Sequence, residues 1–353
     1  MRQYWYRRIL IMILVFTISV GGSYYLIKGR QSDINQEVNA DASVDMVIPG
    51  GMPIGIYMET EGVLILGTEK IRGIDGSAYE PAAHLVKEGD YIVAINEEVI
   101  KNKKSLIQSV GKLEQEEVIL TVRRNNQIID IKMKAVECKE DEYKLGIWVK
   151  DNAQGLGTIT YLKADSTFGA LGHGIHDTDT NKLLEINKGV LYATSIKDIQ
   201  KGAEGLPGGL EGIIVYNNYN VLGTITDNTE IGIYGKVERI DTLFSDTKPI
   251  EVGKAEEICK GAAVIRCAVD GEVEEYEIEI KEINPNAREM NKTLEIEVTD
   301  EKLLKLTGGI VQGMSGSPII QDGKLVGAVT HVLVNDPTRG YGIFIENMLD
   351  AMR

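Results

Sequence analysis

Apolar residues beyond residue 138 occur in short runs that are separated by glycine, asparagine and aspartate. The runs include LGIWVKD, GLGTITYLK, GVLYATSI, NVLGTIT, IGIYGKVE, AAVIRCAVD and TLEIEVTD. Because they recur about every ten residues with no long helical periods between them, the pattern predicts an antiparallel β-barrel or sandwich. EVEEYEIEIKEI alternates apolar and charged residues, as a half-exposed strand does. Helices are predicted at 301–306 and in the C-terminal IENMLDAM. The chain as a whole is predicted to be mainly β.

The region before residue 137 has a different, mixed pattern. A glycine-rich loop and two strands are followed by a short helix, a strand, an amphipathic helix at about 103–111 and a hairpin that turns at Asn125 and Asn126. The sequence therefore predicts a smaller α/β domain over residues 50–136 and a β domain over residues 137–353.

The N-terminus has the pattern of a membrane anchor. Three arginines precede an uncharged run from Ile9 to Ile27, and Lys28 and Arg30 follow it. A helix needs roughly 20 such residues to cross a bilayer, and no A-x-A cleavage site follows. Residues 1–30 are therefore predicted to be an uncleaved signal-anchor with its more basic end in the cytoplasm. Residues 31–49 are predicted to be a polar linker, which places the rest of the chain outside the cytoplasm, membrane-anchored or secreted.

Composition excludes several functions. The net charge of −15 argues against a nucleic-acid partner, which would require clustered Lys and Arg. Cys138, Cys259 and Cys267 are the three cysteines, with no CxxC pair, so neither a disulfide framework nor a zinc site is predicted. Whether Cys259 and Cys267 pair stays open. No cofactor is predicted.

The stretch GMSGSP has a composition that suits a nucleophilic serine. Gly313 and Gly316 permit a tight backbone path that turns Ser315 outward and leaves main-chain N–H groups free beside it. Asp322 and Gly323 then predict a hairpin turn. A serine nucleophile needs a base, a group that orients the base, and N–H donors for the oxyanion. The alternative is a structural serine in a glycine turn.

GMSGSP followed by two strands resembles the Gly-x-Ser-Gly-Gly-Pro signature of chymotrypsin-like serine proteases. The resemblance implies that Ser315 is the nucleophile. It also implies that the backbone N–H groups of Gly313 and Ser315 form the oxyanion hole. In that family the histidine and aspartate precede the serine in the chain.

Four histidines are candidates for the base. His84 lies in the smaller domain, and His331 lies on the strand after Ser315, where a buried or pocket-lining role is expected. His173, in the stretch FGALGHGIHDTDT, has glycine on both sides and is preferred to His176. Two alternatives stay open: His173 caps its loop, or His173, His176 and Asp177 bind a metal, although no third region supplies further ligands.

Asp300 is the preferred orienting carboxylate. Asp177 and Asp179 are close to His173 in the sequence, and Asp336 follows the serine, whereas Asp300 stands at a strand end shortly before GMSGSP. Because a helical run follows Asp300, the competing role is a helix N-cap.

The stretch KEGDYIVAINEEVI resembles a PDZ domain, although Glu97 replaces the usual glycine after Asn96. The resemblance extends over about residues 50–136. PDZ domains add a peptide C-terminus to a sheet as a strand and bind its carboxylate with backbone N–H groups. It implies that Ile54, Gly55 and Ile56, in PIGI, form the carboxylate-binding loop. An ordinary turn into a strand is the alternative.

FGALGHGI and the last forty residues, together with the anchor and the order of domains, resemble the sporulation stage IV B protease family. The resemblance implies a membrane-targeted serine endopeptidase with a PDZ domain, acting in the space between forespore and mother cell. It also implies cleavage of a membrane-bound regulator of an intramembrane metalloprotease, so that a sigma factor is matured. The family's catalytic residues match His173, Asp300 and Ser315.

The sequence also predicts self-cleavage in the exposed linker near residues 31–50. A different class of function stays open, in which the chain is a catalytically silent PDZ adaptor of the extracytoplasmic space.

Overall fold

The computed structural model describes residues 45–244 and 248–352. The predicted anchor and most of the predicted linker lie outside these residues. Among the described residues, no helix has the length and apolar character that crossing a membrane requires. The described chain is mainly β, as predicted.

Strands dominate the chain and are numbered in chain order. They are β1 (Met46–Pro49), β2 (Pro53–Thr68), β3 (Ile71–Arg72), β4 (Ala78–Tyr79), β5 (Tyr91–Ile95), β6 (Glu98–Val99), β7 (Glu117–Arg124), β8 (Gln127–Lys134), β9 (Val136–Lys139), β10 (Glu142–Lys144), β11 (Ile147–Leu162), β12 (Thr167–Ala170), β13 (Ile186–Gln200), β14 (Gly209–Ile214), β15 (Val221–Thr229), β16 (Gly232–Val237), β17 (Ile250–Glu251), β18 (Gly261–Cys267), β19 (Glu274–Ile283), β20 (Leu294–Val298), β21 (Pro318–Gln321), β22 (Lys324–Leu333) and β23 (Asp336–Phe344).

The α-helices are short. They are α1 (Lys103–Val110), α2 (Ile240–Phe244), α3 (Glu301–Thr307) and α4 (Ile345–Asp350). Three short 3₁₀ turns add Asn218–Asn220, Ala255–Glu257 and Met290–Lys292. The helices predicted near 103, near 301 and at the C-terminus are all present.

Six strands close into a first barrel. Their order around the ring is β11, β12, β16, β15, β13 and β2, and the pairing of β2 with β11 closes the ring. Apolar side chains point alternately into its interior, where Ile54, Ile56, Ile159, Leu191 and Ile233 are fully buried. β1 adds to the edge of β11, so residues 46–49 form a strand rather than the end of the predicted linker.

A second barrel is formed by β18, β19, β20, β23, β22 and β21, in that order around the ring. The predicted half-exposed strand is β19, where Tyr276, Ile278 and Ile280 are buried between outward-facing glutamates. The predicted hairpin at Asp322 and Gly323 joins β21 to β22, and both residues have positive φ, as the turn requires.

The smaller domain is inserted between two strands of the first barrel. β2 continues beyond the barrel and pairs with β5, which pairs with β7, and β7 pairs with β8. Its apolar core runs from Val63 to Leu145, with Ile147 and Val149 packed against it. The hairpin predicted at Asn125 and Asn126 joins β7 to β8. We call residues 61–149 the inserted module.

The module boundaries differ from the predicted 50 and 136. Residues 46–60 belong to the first barrel, because β2 is one continuous strand rather than a domain linker followed by two strands. β11 returns along β2 from Ile147 to Thr158, so the module sits at the end of a long hairpin. The module and the barrel therefore share two strands.

All three cysteines are free. Cys267 is buried in the second barrel, whereas Cys259 is exposed. The two therefore do not pair in this structure.

Candidate active site

Ser315 lies in the loop between α3 and β21, a strand of the second barrel, and this loop packs against the first barrel. The loop turns at Gly313 and Gly316, both with positive φ. A side chain at residue 316 would clash with the carbonyl oxygen of Thr158 and the nitrogen of Leu171, so glycine is required at this contact between the barrels.

Two buried threonines of β11 bind the loop. The hydroxyl of Thr158 donates to the carbonyl of Gly313 over 2.8 Å, and the hydroxyl of Thr160 donates to the carbonyl of Gly316 over 2.8 Å. The Thr158 N–H donates to the Ser315 carbonyl over 2.9 Å. These three bonds fix the carbonyl groups of the loop toward the first barrel.

The same path leaves two N–H groups available. Within the described part of the chain, the N–H groups of Gly313 and Ser315 have no hydrogen-bond acceptor, whereas their neighbours Gln312 and Met314 donate to Gly208 and Val311. Two unpaired backbone N–H groups close to a nucleophilic serine are what oxyanion stabilisation requires.

The Ser315 hydroxyl donates to the carbonyl oxygen of Thr330 over 2.8 Å. Thr330 lies on β22, the strand that follows the nucleophile loop. Among the described residues, this is the hydroxyl's one hydrogen bond, and none joins it to a histidine ring.

His173 lies in a sharp turn at the end of β12. Leu171 and Gly172 both have positive φ, which turns the chain and directs the following residues toward the second barrel. The Nδ1 atom of His173 lies 2.9 Å from the Gly174 carbonyl oxygen. Because a carbonyl oxygen accepts and never donates, this contact assigns the proton to Nδ1 and leaves the lone pair on Nε2.

The surroundings of His173 favour its neutral form. Burial lowers the pKa of His173, the hydrogen bond to Gly174 raises it, and nearby His176 lowers it further. The neutral ring with a free Nε2 is the form that can accept a proton from a serine hydroxyl.

His331 is the second histidine of the site. Its ring and that of His173 have centroids 5.1 Å apart and planes tilted by 37°. Burial lowers the pKa of His331 to about 4, and the neighbouring His173 lowers it as well. His331 lines the cavity, as the sequence predicts. Its closeness to His173 has no local signal in the sequence, because the two residues are far apart in the chain.

One cavity of about 380 Å³ contains these groups. Its walls come from both barrels and include Ser315, His173, His331, Gly313, Leu156 and Ile56. A larger cavity of about 680 Å³, lined by Pro49, Arg266 and Glu277 among others, has no serine, cysteine or histidine in its walls. The smaller cavity is therefore the candidate active site.

Asp300 does not line this cavity. Its carboxylate caps α3, accepting the Leu303 N–H over 2.8 Å, and also accepts the Glu277 N–H over 3.4 Å. The structure brings Ser315 and His173 to one cavity but shows Asp300 in the competing N-cap role.

Ile54, Gly55 and Ile56 lie in β2, near its first residue Pro53, and not in a loop. The strand pairs with β11 on one side and β13 on the other, and the two isoleucine side chains are buried in the first barrel. The prediction that these residues form a carboxylate-binding loop is therefore wrong, because their backbone pairs with a strand on each side.

Two residues of the alternative metal site, His176 and Asp177, have other partners. His176 Nε2 lies 3.1 Å from a Glu230 oxygen, and the buried Asp177 carboxylate accepts from Lys150 over 2.9 Å. In residues 45–244 and 248–352, no group of three or more metal-ligating side chains is found.

Two six-stranded β-barrels with a serine and a histidine on a shared cavity form the architecture of chymotrypsin-like serine peptidases. The SpoIVB peptidase S55 family model matches residues 141–349, more than half of the chain. The chain belongs to this family, and it is a serine endopeptidase.

The chain is also similar to solved proteases. The active form of the Rv3671c protease from M. tuberculosis shares 15% identity over 56% of this chain and 74% of that chain, with a TM-score of 0.34. The HtrA-type protease AlgW with a decapeptide shares 12% identity over 59% of this chain and 53% of that chain, with a TM-score of 0.35. No curated protein matches the chain.

Proposed function

We propose that Ser315 is the nucleophile and His173 the general base of this endopeptidase. Their placement on one cavity, beside the unpaired N–H groups of Gly313 and Ser315, is the observation that carries the assignment. The Ser315 hydroxyl rotates from the Thr330 carbonyl toward His173 when substrate binds. Catalytic hydrogen bonds commonly form only in the complex with substrate.

In the first half of the reaction, Ser315 Oγ bonds to the carbonyl carbon of the scissile peptide and its proton moves to His173 Nε2. The Gly313 and Ser315 N–H groups bind the oxyanion. The C–N bond then breaks as His173 returns the proton to the leaving amine. Water, deprotonated by His173, releases the acyl group and restores the serine.

A fluorophosphonate probe tests this assignment. We expect the full-length chain in detergent micelles to be modified at Ser315, as located by peptide mass spectrometry, and Ser315→Ala to be unmodified. Ser317→Ala is the matched control, because Ser317 is a buried serine two residues away whose hydroxyl donates to Met314. Absence of labelling in a folded wild-type chain would contradict the assignment.

That negative outcome would favour a catalytically silent adaptor. The observation that favours this second candidate is the bond from Ser315 to Thr330, which occupies the hydroxyl in the absence of substrate.

For the substrate, we propose a membrane-bound regulator of an intramembrane metalloprotease, cleaved outside the cytoplasm during sporulation so that a sigma factor is matured. Membership of the SpoIVB peptidase family supports this proposal. Co-expression of the chain with such a regulator, its protease and the sigma-factor precursor tests it. Maturation that proceeds equally with Ser315→Ala would contradict it.

We propose further that residues 1–30 anchor the chain and that it cleaves itself within residues 31–50, in the space between forespore and mother cell. The uncharged run and the acidic linker support this. N-terminal sequencing of the secreted form tests it: the shortened form should be missing with Ser315→Ala.

The inserted module is proposed to bind a peptide C-terminus or an internal segment, as the PDZ-like stretch suggests, at a place other than Ile54–Ile56. Fluorescence anisotropy with a library of free-carboxylate peptides and their amidated counterparts tests this. Equal affinity for both forms would exclude carboxylate recognition.

A further inference from the structure

The half of the active-site cavity that belongs to the second barrel has two walls. One wall is the loop from Ile310 to Gly313, and the other is the part of β22 from Thr330 to Val332. Ser315 lies between the two walls, since its hydroxyl donates to the Thr330 carbonyl. A substrate side chain that enters between these walls is therefore next to the nucleophile.

The proposed reaction places one particular substrate side chain in this space. The oxyanion forms on the scissile carbonyl, and its N–H donors, Gly313 and Ser315, are on or directly after the first wall. The carbonyl carbon becomes bonded to Ser315 Oγ, and the residue that supplies this carbonyl, here called the acyl residue, carries its side chain one atom further away. The two walls therefore decide which acyl residues fit.

Ile310 limits the depth of this space. It lines the cavity but is only 2% exposed, and its N–H donates to the Pro337 carbonyl over 2.7 Å, so its backbone is fixed. Behind β22 lies Gly340 of β23, the backbone partner of Val332. A side-chain carbon added at Gly340 would lie 2.6 Å from Ile310 Cδ1. The isoleucine therefore occupies the room that this glycine leaves open.

The cavity has no partner for a charged side chain. Among the described residues that line it, none is Asp, Glu, Lys or Arg. Its titratable side chains are His173 and His331, and burial favours the neutral form of both. A charged acyl residue would lose its water here without gaining an ion pair, which is strongly unfavourable. An aliphatic acyl residue would instead be stabilised by burial.

We propose, given that Ser315 and His173 act as assigned above, that the acyl residue of the substrate is a small aliphatic residue such as valine or alanine, and that Ile310 is the residue that excludes larger side chains. An aromatic ring would have to displace Ile310 from the buried apolar cluster of the second barrel. The peptidase then cuts after valine or alanine and not after aromatic, basic or acidic residues.

Aminoalkyl diphenyl phosphonates test this specificity without a known substrate, because each carries one amino-acid side chain at the position of the acyl residue. Ser315 Oγ bonds to phosphorus, a phenoxide leaves, and the serine proton passes through His173 to give phenol. Probes with the side chains of valine, alanine, phenylalanine and lysine are compared. The rate constant of adduct formation at Ser315 is measured by mass spectrometry on the full chain in detergent micelles.

Two substitutions change the depth of the space. Ile310→Ala removes three carbon atoms, and Ile310→Val removes one with a smaller effect on folding. Ile280→Ala is the matched control, because Ile280 is fully buried in the same apolar cluster but does not line the cavity. The ratio of the phenylalanine rate to the valine rate is taken within each variant, so that a general loss of activity or stability cancels.

We expect the wild type to react with the valine probe roughly 10-fold faster than with the alanine probe, because two more carbon atoms are buried. It should react roughly 10–100-fold faster with valine than with phenylalanine or lysine. The ratio of the phenylalanine rate to the valine rate should rise by roughly 10-fold in Ile310→Ala and by about 3-fold in Ile310→Val. It should stay unchanged in Ile280→Ala.

A wild type that reacts with the phenylalanine or lysine probe as fast as with the valine probe would overturn the proposal. An unchanged ratio in Ile310→Val would remove the role of Ile310 even if Ile310→Ala does not fold. The fluorophosphonate carries no acyl side chain, so labelling by it without reaction of the valine probe would also contradict the proposal. A folded wild type that neither kind of probe labels would instead refute the assignment of Ser315 itself.

Discussion

The hydroxyl of Thr158 connects the first barrel to the loop that carries the candidate oxyanion hole, and we predict the effect of removing it. Valine has nearly the same shape, so Thr158→Val deletes the 2.8 Å hydrogen bond to the Gly313 carbonyl without opening a cavity. The side chain is 2% exposed, so water cannot replace the lost donor. We expect the free energy of unfolding to fall by about 1–3 kcal/mol.

The effect on catalysis should be larger than this stability change indicates. Loss of one oxyanion donor slows an enzyme by roughly 10²–10³-fold. Gly313 would lose one of its anchors, while the loop keeps the bond from the Thr158 N–H to the Ser315 carbonyl. We therefore expect part of that effect, a decrease of roughly 10–100-fold in the rate of Ser315 labelling.

Thr160→Val is the matched control. It removes an equally short bond from an equally buried threonine, but at Gly316, which supplies no oxyanion donor. The midpoint temperature of thermal unfolding should decrease by a similar amount in both variants, by about 2–4 °C for each kcal/mol of lost stability. Equal labelling rates of the two variants at equal stability would refute the reasoning that Thr158 positions the oxyanion hole.

Three further predictions concern the loop, the helix cap and the histidines. Gly316→Ala should lower the free energy of unfolding, measured in urea, by about 3 kcal/mol or more. Residue 316 has a positive φ, and the added methyl group would clash with backbone atoms of the first barrel. A loss below about 1 kcal/mol would show that the barrels can separate locally. Asp300→Asn keeps an N-capping side chain, so labelling should stay near wild type, and a decrease of roughly 10⁴-fold would instead establish the triad role. His331 binds fewer protons folded, with its pKa at about 4, than unfolded, with a pKa of about 6.5. His331 should therefore contribute a loss of stability of up to about 3 kcal/mol as pH decreases from 6.5 to 4. His331→Gln should remove this contribution in thermal melts, while the contribution of His173, whose pKa is also lowered, remains.

Local patterns in the sequence predicted the elements well. The alternation in β19, the turn residues at Asn125–Asn126 and Asp322–Gly323, and the helix after Asp300 each depend on neighbouring residues, and each is present. The family resemblance in the last forty residues was likewise confirmed.

The failures come from long-range pairing. The resemblance to a PDZ domain predicts a carboxylate-binding loop at PIGI, but β11 and β13 pair with its two edges, so it is a central strand of the first barrel. Which carboxylate or histidine faces His173 depends on how the two barrels pack, and His331 is separated from His173 by most of the peptidase domain. No local pattern contains that contact.

The arrangement of β2 and β11 also sets the order in which the chain can fold. The first barrel needs residues 53–58 paired with 153–158, on either side of roughly 90 intervening residues, and closing an unstructured loop of that length costs about 4 kcal/mol. The inserted module has its own core, and it pairs Ile65 with Val149, which brings the two barrel segments side by side. If the module folds early, the pairing of β2 with β11 in the barrel only extends a hairpin that already exists. A peptidase domain that began at residue 137 would lack β2, one of the six strands of the first barrel.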